Sequence, residues 1–190
     1  DAGYKCLHSA AFDVSDEKAV FDFAATIKSK HGNASVVINN AGILGSAEPS
    51  LITPVSAYKR VMDVNFFGVL YGCKAFMPQL IEENEGALVN ISSVFGFLGS
   101  PSNSDYCASK FAVRGYTETL SIEFHKSPIS IHSVHPGGIN TNITSSRIGR
   151  NRDMEAANRV LSTPPSTLAK RIIKGIRRKE PRIVYGNLSF

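Results

Sequence analysis

Blocks of apolar residues at two different periods follow one another along the chain. Lys5 to Phe12 reads as a strand. Asp16 to His31 has helical spacing, with Ser15 as the expected cap and Gly32 as the stop. Val36 to Asn39 is a short run, apolar nearly throughout, as expected of a strand covered on both faces. Thr53-Pro54 opens a long helical stretch to about Glu83, with Pro54 suited to a first turn. Asn65 and Pro78 lie inside that stretch, so it is expected to kink or become irregular. Ala87 to Ile91 is a strand ending on two serines, and a helix is expected to open near Ser104 or Asp105, both good capping residues. Ser130 to His135 is a strand, Pro165 to Lys179 a helix and Arg182 to Tyr185 a last strand. Strands alternating with helices predict the α/β class, with a mostly parallel sheet and helices on both faces. No repeat or linker divides the chain, so residues 1–190 are expected to form one domain.

Composition narrows the function classes. A chain of 190 residues can bury a real core, and no apolar run is long enough to span a bilayer. Cys6, Cys73 and Cys107 have neither a metal-binding nor a redox spacing, which favours reduced thiols and a cytoplasmic setting. His132 and His135 should point to opposite faces of their strand, and no metal cluster is expected. The net charge of +5 is local: seven Lys or Arg and one Glu fall between Pro165 and Arg182. Leu168, Ile172, Ile173 and Ile176 recur there at helical spacing. This reads as a helix with one face on the sheet and a solvated basic face. Contact with a membrane surface or nucleic acid is the sharper but less economical reading.

The chemistry concentrates between Ala87 and Tyr116. Ser93 follows a strand end, where open α/β sheets place their ligands. Tyr106 and Lys110, four apart, share a helical face. A free phenol titrates near 10, too high for a proton shuttle at neutral pH. An ammonium about 4 Å away contributes roughly 4 kcal/mol at an effective dielectric of about 20, on the order of three pKa units in favour of the phenolate. Tyr106 could then serve as general acid or base at a carbonyl or alcohol, with Ser93 bonded to the same oxygen. Taken alone, a Tyr and a Lys at this spacing are also ordinary helix residues.

Five motifs in register decide between these readings. They are Asp13-Val14, Asn39-Asn40-Ala41-Gly42, Val64-Asn65-Phe66-Phe67-Gly68, Ser93 with Tyr106-Cys107-Ala108-Ser109-Lys110, and Pro136-Gly137-Gly138-Ile139-Asn140-Thr141. In this order, from about Lys5 to Gly186, the chain resembles the short-chain dehydrogenase/reductase family. The resemblance implies a Rossmann-like, doubly wound sheet and hydride transfer between NAD or NADP and a small carbonyl compound or secondary alcohol. It implies Tyr106 as general acid/base, Lys110 lowering its pKa, Ser93 on the substrate oxygen and Asn65 holding a relay water. It also implies cofactor contacts from Asp13, Val14, Asn39, Ala41, Gly42, Tyr106, Lys110, Pro136, Gly137, Ile139 and Thr141. Each of these also has a plain reading: Asn39 to Gly42 as a strand-ending turn, Asp13 as a loop start. Residues Asn142 to Thr163, with Arg147, Arg150, Arg152 and Arg159, match the family's substrate lid. A homodimer or homotetramer, with no nucleic acid partner, is implied as well.

One part of the pattern is missing. The chain begins with Asp1 and contains no Gly-x-Gly-x-x-Gly turn, so it is expected to be a fragment lacking the first two strand–helix units and the pyrophosphate turn. Such a fragment is expected to bind cofactor weakly and to lack activity by itself. By the family's strand order, Lys5–Phe12 is the third strand and Val36–Asn39 the fourth, with a gap between them. Val36, Val37 and Ile38 should then be unusually exposed. A serine hydrolase built on Ser93 has no Gly-x-Ser-x-Gly turn here, and a non-catalytic binding or scaffold protein is the other alternative.

Overall fold

The computed structural model describes residues 7–146 and 161–186. Among these, four strands form one parallel sheet in the order β1-β2-β3-β4. They are β1 (Val36–Asn39), β2 (Gly86–Ile91), β3 (Ile129–Pro136) and β4 (Arg182–Tyr185). Successive strands are joined through helices: α1 (Glu17–His31) precedes β1, α2 (Val55–Met62) and α3 (Gly68–Glu83) lead to β2, α4 (Ser104–Glu123) leads to β3, and α5 (Pro165–Arg177) leads to β4. Parallel pairing needs such crossovers, and their helices cover the sheet.

The period of two in β2 divides the core. Leu88 joins Val69, Met77, Leu80, Val113 and Leu120 on the face covered by α3 and α4. Its neighbour Val89 joins Ile91, Val134, Ile172 and Ile183 on the face covered by α5. With both faces covered, β2 from Ala87 to Ile91 is buried throughout. The fold is therefore the expected Rossmann-like α/β arrangement, and the strand end carrying Ser92 and Ser93 lies mid-sheet.

Several local expectations are corrected. Asp16, not Ser15, caps α1: its carboxylate accepts the Ala19 N–H, while Ser15 donates to Asp13. The cap position of α4 falls to Asn103, because the Asp105 carboxylate is drawn inward to other donors. The irregularity expected around Asn65 is a π-helical turn, Asp63–Phe67, between α2 and α3; Pro78 is accommodated within α3.

The start of the chain departs most from expectation. Lys5 and Cys6 lie outside the described residues, and Leu7–Phe12 carries no β pairing. Phe12 packs on Phe23 of α1 instead, with ring centroids 5.3 Å apart. A strand exists only where its N–H and C=O groups find a ladder partner, and among the described residues β1 pairs with β2 alone. β1 is consequently an edge, not a strand covered on both faces. Val36 and Ile38 are 50% and 49% exposed, because α5 lies over β3 and β4 and does not reach them. Val37 departs from the expectation of exposure: it faces α3 and is buried. An apolar groove of about 410 Å³ runs along this edge between Phe12, Val20, Phe23 and Val36.

Candidate active site

Sequence places Ser93 two residues beyond the end of β2, where the chain turns into a single 3-10 turn, Val94–Gly96. Ser93 Oγ accepts the Phe95 N–H at 3.2 Å, and the Ser93 carbonyl accepts the Gly96 N–H at 2.9 Å. Ser92 Oγ donates to the Lys110 carbonyl at 2.8 Å, which ties the strand end to α4. Gly96 sits against the same carbonyl: a Cβ there would lie 2.9 Å from the Lys110 oxygen. The close approach of strand and helix thus depends on a small residue and a hydroxyl.

On α4, Tyr106 and Lys110 are both buried and face the end of β2. The Ser93 side chain lies beside the Tyr106 hydroxyl and favours its ionised form. Lys110 Nζ donates to the Ile91 carbonyl at 3.0 Å and lies 5.6 Å from the centre of the Tyr106 ring. Burial dominates the electrostatics of both groups. It pushes the Tyr106 phenol up to about 12, with the Ser93 hydroxyl pulling in the opposite direction. It pulls the Lys110 ammonium down to about 8. The expected drop in the phenol is absent from this arrangement, because desolvation outweighs an ammonium that is bonded to a carbonyl and set back from the ring.

Asn65, in the π-helical turn, is completely buried. Its Oδ1 accepts the Ile43 N–H at 2.8 Å, and its Nδ2 donates to the Ile43 carbonyl at 3.0 Å and to Ser109 Oγ at 3.0 Å. Ser109 Oγ in turn donates to the Tyr106 carbonyl at 2.7 Å. A Cβ on Gly42 would stand 3.3 Å from Asn65 Oδ1 and 3.4 Å from Lys110 Nζ, so Gly42, Asn65 and Lys110 surround one small space.

The other expected cofactor residues are dispersed among several roles. Asp13 Oδ1 accepts from the backbone and side chain of Ser15, and Oδ2 pairs with Arg60 at 3.0 Å. These partners, the Ser15 N–H first, hold its carboxyl below the usual range. Val14 packs where Gly68 leaves room: a Cβ at Gly68 would meet Val14 Cγ2 at 2.9 Å. Asn39 turns inward, donating to Asn90 at 2.8 Å, and fills the space left by Gly72. Ala41 is exposed, beside Gly42. Pro136 ends β3, Gly137 N–H donates to the Tyr185 carbonyl at 2.9 Å, and Ile139 is buried and bridged to Thr163. Thr141 is exposed, its hydroxyl accepting the Ile143 N–H at 3.4 Å. The start of the expected lid, Asn142–Ser146, is a 3-10 turn whose Ser146 Oγ accepts the Leu44 N–H at 3.1 Å. Arg147, Arg150, Arg152 and Arg159 lie outside the described residues.

Residues that sequence reasoning passed over complete the site. Asp105, 1% exposed, accepts the Ser46 N–H at 2.8 Å and its neighbour Tyr106 N–H at 2.8 Å, fastening the Gly42–Ser46 loop to the start of α4. Gly45 permits this, since a Cβ there would overlap the carboxylate. Ser109 was legible from its spacing, three residues beyond Tyr106 on the same face. Cys73 and Cys107 are free and buried, and burial pushes Cys73 up to about 12, so it is not a nucleophile. No group of metal ligands occurs among the described residues, and none of their helices is long and apolar enough to cross a membrane.

The short chain dehydrogenase family matches residues 3–151 of the chain. The chain belongs to the short-chain dehydrogenases/reductases. It is 36% identical over 190 residues to a Mycobacterium tuberculosis protein provisionally named oxidoreductase SadH, covering 95% of this chain and 68% of SadH. It is 40% identical over 148 residues to 3-ketodihydrosphingosine reductase of Bacteroides thetaiotaomicron, covering 74% of this chain and 54% of that enzyme. The fold matches a short-chain dehydrogenase/reductase of Burkholderia phymatum solved with NAD: TM-score 0.87 at 23% identity, over 96% of this chain and 72% of that one. It also matches ElxO with NADP bound, TM-score 0.79 at 25% identity, over 91% of this chain and 74% of that one. The chain thus spans about half to two thirds of the length of the two relatives compared by sequence.

Proposed function

We propose that Tyr106, Lys110, Ser93 and Asn65 form the catalytic group of an NAD(P)-dependent oxidoreductase acting on a small carbonyl compound or secondary alcohol. The observation that carries this reading is the meeting of a buried phenol, hydroxyl and ammonium at the carboxyl end of β2. The serine hydrolase alternative gains no support from the geometry, because the buried His135 bonds the Ser93 carbonyl and not its hydroxyl.

The residues present fit the ribose and nicotinamide portion of a dinucleotide. Lys110 gives one hydrogen to Ile91, leaving two for ribose hydroxyls, and Gly42 keeps open the space beside it. Gly137 and Ile139 would hold the nicotinamide side and Thr141 a phosphate, with Asp13, Val14, Asn39 and Ala41 toward the adenosine. When bound, the nicotinamide supplies or accepts the hydride. Tyr106, protonated at neutral pH, gives its phenolic proton to the carbonyl oxygen as that oxygen gains charge, and takes a proton from the alcohol in the reverse direction. Ser93 Oγ, with one lone pair held by the Phe95 N–H, keeps its hydrogen for the same oxygen. Lys110 favours the phenolate left behind, and a water held by Asn65 would return the proton from solvent. The chain carries no glycine-rich turn for the pyrophosphate, so these 190 residues alone are proposed to bind NAD(H) and NADP(H) weakly.

The test is Tyr106→Phe in the whole protein, assayed against a panel of ketones and secondary alcohols with either cofactor. Turnover should fall by about 10²- to 10⁴-fold with the fold intact. Unchanged turnover would remove Tyr106 from the mechanism.

A further inference from the structure

Ser93 can hold a substrate oxygen only if its backbone is fixed as the chain leaves β2, and the residue that fixes it comes from the neighbouring strand. His135 of β3 is fully buried. Its Nδ1 lies 3.0 Å from the Ser93 carbonyl oxygen, and its Nε2 lies 2.8 Å from Ser133 Oγ. A carbonyl can only accept, so Nδ1 must carry the hydrogen, and in the neutral ring Nε2 accepts from the Ser133 hydroxyl. The Ser93 carbonyl then has two donors, Gly96 N–H and His135 Nδ1–H, which occupy both of its lone pairs. One residue earlier, Ser92 N–H donates to the Val134 carbonyl at 2.8 Å, so β3 grips the serine pair at two successive points.

We propose that His135 is a positioning residue for Ser93, acting as a neutral, Nδ1-protonated hydrogen-bond donor. The inference rests on the catalytic reading of Ser93 given above.

The surroundings keep the ring in that form. Phe97 lies against it with centroids 4.1 Å apart. On Phe97 rest the guanidinium groups of Arg114 of α4 and Arg182 of β4, at 4.9 and 5.5 Å from the ring centre. Both cations oppose a charge on His135, while Glu118 of α4, paired with both arginines, offsets them in part. Burial adds the largest penalty, and the imidazole is held down to about 4. His135 therefore stays neutral across the pH range in which the enzyme would work, and the Ser93 clamp does not titrate there.

The test has an activity arm and a spectroscopic arm, both on the whole protein. His135→Phe keeps a ring of similar shape but removes the donor. It should lower kcat by about 10- to 100-fold, since small misplacements of a catalytic group cost that much, with the KM for cofactor changed less than about threefold. His135→Asn places an amide N–H near the lost Nδ1–H and should recover most of the loss. Wild-type turnover in His135→Phe, or equal losses in His135→Phe and His135→Asn with both folded, would overturn the proposal. Should either variant fail to fold, ¹⁵N-histidine NMR of the wild type decides: Nδ1–H supports the assignment and Nε2–H refutes it. Tyr106→Phe assayed alongside separates the two readings. Loss there with no loss in His135→Phe sinks only the role of His135, whereas no loss in Tyr106→Phe sinks the catalytic site itself.

Discussion

The side-chain amide of Asn65 pairs with the backbone of Ile43 at both ends, accepting its N–H at 2.8 Å and donating to its carbonyl at 3.0 Å. The bonding resembles a strand pairing made by one side chain. It joins the π-helical turn to the loop after β1, and through Ser109 to α4. A regular helix carries Asn poorly, because its amide competes for backbone groups, and here that competition is the function of the residue. π-helical turns of this kind frequently occur at functional sites.

Asn65→Leu keeps the branched heavy-atom shape but removes all three bonds. Each buried polar group left without a partner costs about 1–3 kcal/mol. The variant should lose roughly 2–4 kcal/mol in urea unfolding and most of its turnover. A stability within about 0.5 kcal/mol of wild type, the scatter of ordinary surface substitutions, would show the clasp to be dispensable.

Gly96→Ala tests the approach of strand and helix. The added methyl would meet Ser92 Oγ at 2.5 Å and the Lys110 carbonyl at 2.9 Å. The hydroxyl can rotate, but the carbonyl belongs to the helix that bears Tyr106 and Lys110 and cannot move alone. Overpacking of this kind costs about 1–3 kcal/mol. Thermal unfolding should register that loss, and turnover should fall further than Tm does. A variant equal to wild type in both would mean that α4 is free to shift.

Much of this site is legible in the sequence. Tyr106 and Lys110 are four apart on a helix, and Ser93 follows an apolar run, so helical and strand periodicity alone bring them together. What was not legible depends on tertiary packing. The burial of Tyr106 and Lys110, which sets the direction of both their shifts, is decided by strands and loops distant in sequence. Asp105 read as a helix cap, yet the Gly42–Ser46 loop claims its carboxylate. Val36 and Ile38 are exposed, as the expected gap beside their strand implies, but Val37 is buried against α3, because strand order does not say which face a helix will cover. Lys5–Phe12 has strand composition, but pairing requires a neighbour that composition cannot supply.

The activity should differ in its pH dependence between directions. With Tyr106 in the proposed role, carbonyl reduction draws on its phenolic proton, held up to about 12, so the rate should stay level between about pH 6 and 9 on the substrate-saturated enzyme. Alcohol oxidation needs the phenolate and should rise with pH over the same range. Lys110→Met removes the cation that favours the phenolate, so the oxidative limb should move to higher pH. Identical oxidative profiles for wild type and Lys110→Met would exclude electrostatic help from the lysine.

The stability of the protein toward acid should carry the imprint of His135. Its folded value is depressed from 6.5 to about 4 by burial, with Arg182 and Arg114 adding to the effect. Between those values the unfolded chain binds a proton that the folded protein refuses, so unfolding takes up protons and stability falls as pH falls. The loss begins as pH drops through 6.5 and is complete near 4, amounting to at most about 3 kcal/mol for this residue. His132, depressed by its own burial, adds a loss in the same direction, and Asp13, whose carboxyl is held low, adds another at lower pH. Both of those persist in His135→Asn and cancel when the two proteins are compared. Urea midpoints measured from pH 7 to 4.5 should therefore converge: His135→Asn, less stable at neutral pH for its altered packing, should lose less on acidification than wild type. Parallel curves over that range would mean that the imidazole is protonated in the folded protein, and the neutral clamp on Ser93 would have to be abandoned.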